Sequence, residues 1–217
     1  MSATHLTLLT GASRGMGRAM AEQLLDAGHT LVCISRKTDD ALAAKAKAGG
    51  ATLLQWSFDL AAPEAAAERI AGWLAEQDAQ AFDSVTLINN AGTVGRLGPL
   101  EKADAADLVQ SLRIGLEAPL LLTAAFLRAT ADWRGVRKVL NSSSGLGRNA
   151  MASQAPYGAA KAGMDHFSRA VALEEALRPN GAKIVSLAPG VIDTDMQIAM
   201  RGTDAWEPRP ETAHGDF

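Results

Sequence analysis

Apolar residues along the chain alternate between short runs and longer segments in which they recur at helical spacing. The short runs have the length of buried strands, and the Ala- and Leu-rich segments between them have the period of helices packed on one face. We predict strands at about 5–10, 30–35, 52–57, 84–89, 136–142 and 182–188. We predict helices at about 16–28, 39–48, 62–78, 104–131 and 154–178. This alternation is typical of an α/β fold, in which helices cover both faces of a parallel sheet in three layers.

Composition and charge narrow the class of protein. No linker or repeat divides the chain, so we expect a single domain over residues 1–217. The formal net charge of −3 and the lack of a basic run argue against nucleic acid as a partner. The N-terminus has neither a basic region nor a long apolar span, so we expect no membrane anchor or secretion signal and a cytoplasmic location. We interpret Cys33 as a core thiol, and the scattered histidines suggest no metal site.

A glycine-rich turn follows the first predicted strand and precedes the first helix. Gly11, Gly15 and Gly17 are spaced Gly-x-x-x-Gly-x-Gly, which differs from the more usual Gly-x-Gly-x-x-Gly of dinucleotide sites. Glycines in such a turn let backbone N–H groups approach a pyrophosphate at the N-terminus of the helix. The turn therefore predicts a bound dinucleotide.

The end of the second strand indicates which dinucleotide is preferred. An acidic residue there holds the adenosine ribose of NAD, but this strand ends in Ser35, Arg36 and Lys37. Arg36, together with Arg14 of the glycine turn, would clamp a 2′-phosphate by charge-assisted hydrogen bonds, which favours NADP(H). The alternative is that both arginines are solvated surface residues.

Two further strand ends carry residues suited to the rest of such a cofactor. Asp59 and Leu60 follow the third strand and suit an adenine amino group and ring face, although an Asp59 that caps the next helix is an equally good interpretation. Asn90, Ala91 and Gly92 follow the fourth strand, where small residues would let a ribose approach the backbone. Ligands bind outside the carboxyl ends of parallel strands, so these residues are expected at one edge of the sheet.

The sixth strand leads into a turn that contains Pro189 and Gly190. This turn would deliver backbone groups and Thr194 toward the nicotinamide carboxamide. We interpret residues 191–217 as a substrate lid or an irregular C-terminal segment, because the end of this segment is Pro-rich and polar.

The segment 141–163 carries the candidate catalytic residues. Ser144 precedes Tyr157 by thirteen residues, and Lys161 follows the tyrosine by four. A helix capped by Ser153, with Pro156 in its first turn, would place Tyr157 and Lys161 on one face. A lysine ammonium about 4 Å from the phenol would contribute roughly 4 kcal/mol at an effective dielectric of about 20, and would lower the pKa of the tyrosine enough for general-acid catalysis. Because Tyr-x-x-x-Lys arises easily by chance, this interpretation depends on the other motifs.

Taken in order, the motifs resemble those of the short-chain dehydrogenase/reductase family over about residues 5–200. They are Thr-Gly-x-x-x-Gly-x-Gly, Asn-Asn-Ala-Gly, a serine followed by Tyr-x-x-x-Lys, and Pro-Gly. The runs APLLLTAAFL and GVIDTDMQ look more like the sepiapterin reductase and benzil reductase branch. The resemblance implies a Rossmann-type, doubly wound parallel sheet and an NADPH-dependent carbonyl reductase.

The resemblance also implies roles for individual residues. Ser144 would hydrogen-bond the substrate carbonyl oxygen, Tyr157 would protonate it, and Lys161 would bind the nicotinamide ribose and lower the tyrosine pKa. The residues that fall on the family's cofactor positions are Gly11, Ser13, Arg14, Met16, Asp59, Asn90 and Ile192. The family usually dimerises through helices that correspond to 104–131 and 154–178, so a homodimer is expected.

Two departures from the family are visible. Gly115 stands where the family has an asparagine that helps hold a proton-relaying water; either a second water bound to a backbone carbonyl replaces that side chain, or the relay is dispensable. In addition, no apolar strand follows the Pro-Gly turn. Either the sequence is incomplete at that end, or the fold closes with six strands and lacks the usual last helix and edge strand, in which case we expect something to cover the sixth strand.

The substrate is expected between the segments 93–97, 145–151 and 196–200. The last two segments carry the apolar residues Leu146, Met151, Met196 and Met200. These side chains suit a bulky or aromatic carbonyl substrate. The alternative is that they merely pack a lid. Three functions remain open: a reductase of a ketone, diketone or aldehyde, an NAD(P)-dependent alcohol dehydrogenase working in the oxidative direction, and a non-catalytic NADPH sensor.

Overall fold

Six parallel strands form one sheet in the computed structural model, which describes residues 4–190 and residue 192. The strands are β1 His5–Thr10, β2 His29–Ser35, β3 Thr52–Ser57, β4 Ser84–Asn89, β5 Val136–Ser142 and β6 Lys183–Leu187. Their order in the sheet is β3-β2-β1-β4-β5-β6. Each predicted strand is confirmed to within one residue at either end, because a run of apolar residues between turns leaves little freedom in where a buried strand lies.

Helices cover both faces of the sheet, which confirms the predicted Rossmann-type α/β fold. They are α1 Gly15–Gln23, α2 Asp40–Gly49, α3 Glu64–Ala75, α4 Ala105–Leu112, α5 Ala118–Ala129 and α6 Ala155–Ala176. The predicted single helix 104–131 is interrupted, because a π-helical segment, Arg113–Glu117, joins α4 to α5. One widened turn of this kind shifts the side chains of α5 relative to those of α4.

Several helix ends differ from the prediction; helix α3, for example, spans Glu64–Ala75 rather than 62–78. Helix α1 stops at Gln23 rather than near residue 28, since the chain leaves the helix there and turns into β2 at Gly28, whose φ is +84°. Ser153 is not the N-cap of α6: its φ of +66° is left-handed, the helix begins at Ala155, and Gln154 precedes it without a side-chain cap. An N-cap residue needs extended backbone, so the prediction for Ser153 was wrong.

The core lies in two layers, one on each face of the sheet. Successive side chains of β1 point to opposite faces of the sheet. Leu8 lies in the layer that also holds Ile70 of α3 and Phe126 of α5. Leu9 belongs to the other layer, with Leu42 of α2. Strands buried on both faces require nearly continuous apolar sequence, as the burial of β1 and β2 shows. Cys33 is buried in the second layer, and burial raises the pKa of its thiol to about 12.

A buried ion pair fastens the C-terminal end of α6 to the sheet. Arg137 of β5 is 2% exposed, and its Nη2 lies 3.2 Å from Oε2 of Glu175. The same carboxylate oxygen accepts a hydrogen bond from the backbone N–H of Ala182, at 2.8 Å. This end of α6 is therefore held against the start of β5 and the turn into β6.

The order of the strands reverses between β1 and β4, which are neighbours in the sheet. In open α/β sheets the crevice at such a reversal is where ligands bind, outside the carboxyl ends of the strands. The prediction about a further helix and strand concerns residues beyond Gly190, which apart from Ile192 lie outside the described residues. None of the helices within the described part of the chain is long and apolar enough to span a membrane.

Candidate active site

The glycine turn after β1 is shaped by close backbone contacts. Gly11 and Gly15 have φ values of +70° and +53°, which side chains disfavour. A Cβ on Gly17 would lie 2.1 Å from the carbonyl oxygen of Gly11, so only glycine lets α1 start this close to the turn. The turn is fixed to β2 by hydrogen bonds from Gly11 N to Ile34 O, at 2.8 Å, and from Ala12 N to Ser35 Oγ, at 2.9 Å.

Asn90 and Thr10 fasten the end of β4 to the end of β1. The Thr10 hydroxyl oxygen accepts hydrogen bonds from the backbone N–H groups of Asn90, at 2.9 Å, and Ala91, at 3.0 Å. The Asn90 side chain donates to the Thr10 carbonyl, at 3.0 Å. Sequence reasoning missed Thr10, although a hydroxyl residue at the last position of an apolar strand was a visible signal.

A cleft of about 710 Å³ opens at this end of the sheet. All predicted cofactor residues that the structure describes line it. They are Gly11, Ser13, Arg14, Met16, Arg36, Asp59, Leu60, Asn90, Ala91, Gly92, Tyr157, Lys161, Pro189, Gly190 and Ile192. Thr194 lies outside the described residues. Residues scattered over most of the chain thus meet in one crevice.

The two arginines of the cleft are exposed, and no carboxylate of the described residues lies within ion-pair distance of either. By contrast, Arg18 on α1 pairs with Asp39, at 3.4 Å. The Asp59 side chain accepts a hydrogen bond from Ala61 N, at 3.0 Å. Asp59 does not cap α3, because Pro63 precedes the first helical residue. The alternative interpretation of Asp59 as a helix cap was therefore wrong.

Tyr157 and Lys161 lie one turn apart on α6 and face the cleft together. Both are buried, at 9% and 3% exposure. The Lys161 Nζ lies 5.7 Å from the centroid of the tyrosine ring and donates a hydrogen bond to the backbone carbonyl of Ser142, at 2.6 Å. Ser144, at the end of β5, also lines the cleft, and its hydroxyl accepts a hydrogen bond from Leu146 N, at 3.2 Å.

Close packing holds α6 against the turn that follows Ser144, Gly145–Gly147, which we call the serine turn. A Cβ on Gly147 would lie 2.9 Å from the backbone carbon of Lys161, so the turn Gly145–Gly147 presses directly on α6. Beneath it, a buried chain of hydrogen bonds crosses from β4 to α6. Asn89 donates to Asn141, at 2.8 Å, and Asn141 donates to Ser168 of α6, at 2.8 Å. Such buried networks favour one arrangement of the elements that they join; in this network the Oδ1 of Asn89 is the one amide oxygen without a partner among the described residues.

The pKa of Tyr157 is raised, which reverses the expectation from the sequence. Burial is the dominant cause, and a hydrogen bond with Ser144 opposes it. The ammonium of Lys161 is turned toward the Ser142 carbonyl, and burial lowers the pKa of this lysine to about 8. The expectation counted only the charge of the lysine, whereas in this cleft the removal of water has the larger effect on the tyrosine pKa.

Gly115 lies in the π-helical segment and is buried against α6. A Cβ at this position would lie 2.8 Å from the Cβ of Ala160, the residue before Lys161. Close packing thus gives a reason for the glycine that neither sequence interpretation considered. That a second water replaces the family's asparagine side chain stays a prediction from the sequence.

The outer part of the cleft mixes apolar and polar side chains. The residues of this part are Thr93, Gln110, Ile114, Leu146, Asn149 and Met151. Gln110 and Ile114 were missed in the sequence, although they lie at helical spacing just before Gly115. Arg148 does not line the cleft, since its Nε pairs with Asp165, at 3.2 Å. Met196 and Met200 lie outside the described residues.

Comparison with known proteins agrees with the motifs. The family profile described as short chain dehydrogenase matches residues 5–205. A benzil reductase, (S)-benzoin forming, from Bacillus cereus is 36% identical over 97% of this chain and 81% of its own length. A sepiapterin reductase from Xenopus tropicalis is 34% identical over 90% of this chain and 77% of its own length. The predicted likeness to this branch is confirmed.

A solved structure with bound NADP has the same fold. This protein, from Beutenbergia cavernae, superposes with a TM-score of 0.81 and is 28% identical, over 93% of this chain and 78% of its own length. The likeness extends over most of both chains.

Replacing Gly115 with alanine is expected to destabilise the fold. The added methyl would overlap Ala160, and overpacking of this kind costs about 1–3 kcal/mol. Gly72→Ala is a matched control, because Gly72 is an exposed residue of α3 whose added Cβ would have no neighbour within 4 Å. The control should gain roughly 0.5–1 kcal/mol from helix propensity. Urea unfolding of both variants measures these changes; equal stabilisation would show that the approach of Gly115 to Ala160 is not a constraint.

Proposed function

The chain belongs to the short-chain dehydrogenase family, and we propose that it is an NADPH-dependent carbonyl reductase that converts a ketone, diketone or aldehyde into an alcohol. The observation that carries the proposal is the meeting of Ser144, Tyr157 and Lys161 in the same cleft as the glycine turn. These groups can bind a carbonyl oxygen, donate a proton to it and stabilise the negative charge left on the tyrosine.

The shape of the cleft supports a dinucleotide. Gly11 and Gly17 keep the start of α1 free of side chains, so backbone N–H groups at the helix N-terminus are open to a pyrophosphate. Asp59 and Leu60 line the side of the cleft next to β2 and β3, where we propose that they contact adenine. Gly92 lies beside Lys161, because a Cβ on it would be 3.7 Å from the lysine Nζ. Pro189 and Gly190 also line the cleft. A reduced nicotinamide cofactor supplies a hydride when it is bound.

We propose that Tyr157 is the general acid and that Ser144 orients the carbonyl oxygen by a hydrogen bond. Burial raises the pKa of Tyr157, so the phenol keeps its proton at neutral pH until negative charge develops on the substrate oxygen. A protonated phenol suits reduction better than oxidation, because oxidation begins with removal of a proton from the alcohol. Lys161 would hold the cofactor ribose and stabilise the phenolate that remains after proton transfer.

Two cationic side chains support NADP(H) over NAD(H). Arg14 follows β1 and Arg36 follows β2; both line the cleft, and neither has an acidic partner in the described part of the chain. A guanidinium binds phosphate through two parallel hydrogen bonds. We therefore propose that this pair binds the 2′-phosphate, in line with the bound NADP of the Beutenbergia cavernae structure.

The outer cleft supports a bulky substrate. Ile114, Leu146 and Met151 give it an apolar wall, and methionine adapts to large or irregular groups. The relatives named as benzil reductases act on a diketone that carries two aromatic rings. Benzil is therefore the first substrate to assay.

We also propose a homodimer that associates through helices 104–131 and 154–178. Large apolar side chains on these helices are exposed in the single chain: Val109 by 50%, Leu112 by 41%, Leu120 by 45% and Leu173 by 72%. Residues 191–217, predicted from the sequence as a lid or irregular segment, lie outside the described residues except for Ile192. The single domain and the cytoplasmic location remain predictions from the sequence.

Replacing Tyr157 with phenylalanine should reduce the kcat for benzil by about 10²- to 10⁴-fold, because the general acid is lost while the ring remains. Tyr157 is the only tyrosine in the chain, so no other phenol can substitute. The NADPH dissociation constant, from cofactor fluorescence, should change little. Unchanged turnover would contradict the assigned role, and a wild type that binds NADPH but reduces none of a panel of ketones, diketones and aldehydes would favour a sensor.

Replacing Arg36 with aspartate should move cofactor preference toward NADH. Loss of a charged hydrogen bond to the 2′-phosphate corresponds to roughly a 10- to 100-fold change in the ratio of kcat/KM for NADPH to that for NADH. Arg134→Asp is the control, because it makes the same change in charge at an exposed residue just before β5, outside the cleft. Equal preference in the two variants would contradict the phosphate clamp.

Sedimentation velocity should give about twice the mass of one 22.6 kDa chain. Leu173→Glu should shift the protein toward the monomer, because a charge at the centre of an apolar interface is costly to bury. Leu100→Glu, at a leucine that is 57% exposed and outside both helices, should leave the dimer intact. A monomeric wild type would rule the proposed dimer out.

A further inference from the structure

Asp165 extends the row of polar groups on α6 beyond the two residues that the sequence singled out. Tyr157, Lys161 and Asp165 are spaced by four residues on one helix, so they share a face. Asp165 is 7% exposed. Carboxylates are rarely buried to this degree without a partner or a function.

Two side chains from other elements hold the carboxylate. The Ser186 hydroxyl of β6 donates to Oδ1, at 2.5 Å, and the Arg148 Nε donates to Oδ2, at 3.2 Å. The buried Ser143 hydroxyl, just after β5, has no hydrogen bond of standard geometry among the described residues, but it lies close enough to help keep Asp165 ionised. Burial alone would raise the pKa of Asp165, but these hydrogen bonds and the charge of Arg148 outweigh it and lower the pKa. The group is therefore a carboxylate at neutral pH.

Lys161 has few hydrogen-bond acceptors around its buried ammonium, so a nearby negative charge is important for keeping it protonated. Its ammonium has three donors, but the only oxygen of the described residues that accepts from it is the Ser142 carbonyl, and its next polar contact is the sulfur of Met164, at 4.0 Å. Gly115, from the segment packed on this part of α6, offers no side chain. Burial lowers the pKa of Lys161 to about 8, and the negative charge of Asp165 opposes this shift.

We propose that Asp165 is a positioning residue whose fixed negative charge keeps Lys161 in its ammonium form near neutral pH. The charge acts across one helical turn rather than through a direct ion pair, since both oxygens of the carboxylate are engaged by Ser186 and Arg148. The catalytic consequence of this inference rests on the proposed function, but the effect on Lys161 does not.

The groups that face Lys161 define the pH dependence. They are the neutral phenol of Tyr157, the carbonyl of Ser142 and the carboxylate of Asp165, with the positive Arg148 on the far side of that carboxylate. The ammonium is present below its pKa, so kcat for reduction should fall as pH rises through about 8. If the Asp165 charge is removed, the pKa of Lys161 falls and the loss of activity should begin at lower pH.

The pKa of Lys161 can be measured without turnover, by following the ¹³Cε resonance of labelled lysine in the protein as pH is varied, with Lys161→Met to assign the signal. Asp165→Asn, which keeps the shape and removes the charge, should lower this pKa by roughly one unit. Arg148→Gln is the control, because it breaks a contact of the carboxylate but keeps its charge; it should leave the pKa of Lys161 unchanged or slightly higher. A lowered value in Arg148→Gln, or an unchanged one in Asp165→Asn, would overturn the inference.

The alkaline limb of kcat for benzil should move to lower pH in Asp165→Asn by the same amount as the pKa of Lys161. A merely structural role would lower kcat at every pH and leave the limb in place, which would overturn the inference. If Asp165→Asn does not fold, Asp165→Ser, which also removes the charge, takes its place and should likewise lower the pKa of Lys161; an unchanged value would overturn the inference. A wild type that shows the pKa near 8 but reduces no carbonyl would remove the proposed function and leave the inference about Lys161 intact.

Discussion

The burial of the Lys161 ammonium is the constraint on which the rest of the site depends. A charge removed from water is costly unless other groups replace the lost solvation. Here the Ser142 carbonyl and the negative charge of Asp165 do so, and the Tyr157 ring covers one side. Because each of these groups belongs to α6 or to the end of β5, the lysine keeps its position only while the helix and the strand keep theirs.

Several unrelated contacts keep that arrangement in place. The hydrogen bonds from Asn89 through Asn141 to Ser168 join α6 to the carboxyl ends of β4 and β5. The Arg137–Glu175 ion pair fixes the C-terminal end of the helix. Gly147 and Gly115 act differently, since their lack of a side chain lets the serine turn and the π-helical segment come close to α6. Polar contacts thus set where the helix lies, and glycines set how near its neighbours can come.

The strands and the cleft-lining residues at the strand ends followed from the sequence, because buried strands and glycine turns have strong local signatures. Details that depend on packing between elements did not. The π-helical segment contains Gly115, which packs closely on Ala160, a residue distant in sequence. Ser153 has a backbone conformation that no local pattern indicates. The pKa of Tyr157 was predicted to be lowered but is raised, because the spacing of a tyrosine and a lysine carries no information about burial. Asp165 was visible four residues after Lys161, but without β6 beside it nothing marked it as buried.

The central claim is that the cleft joins a reduced nicotinamide to a carbonyl carbon, with Tyr157 as the proton donor. The most direct test is to incubate the protein with benzil and NADPH that carries deuterium at both C4 positions, and to analyse the product by mass spectrometry. The account predicts benzoin with one deuterium on the carbinol carbon, and a hydroxyl proton that comes from solvent. Failure to form benzoin or any other alcohol from a carbonyl panel, or an alcohol without deuterium at that carbon, would contradict it.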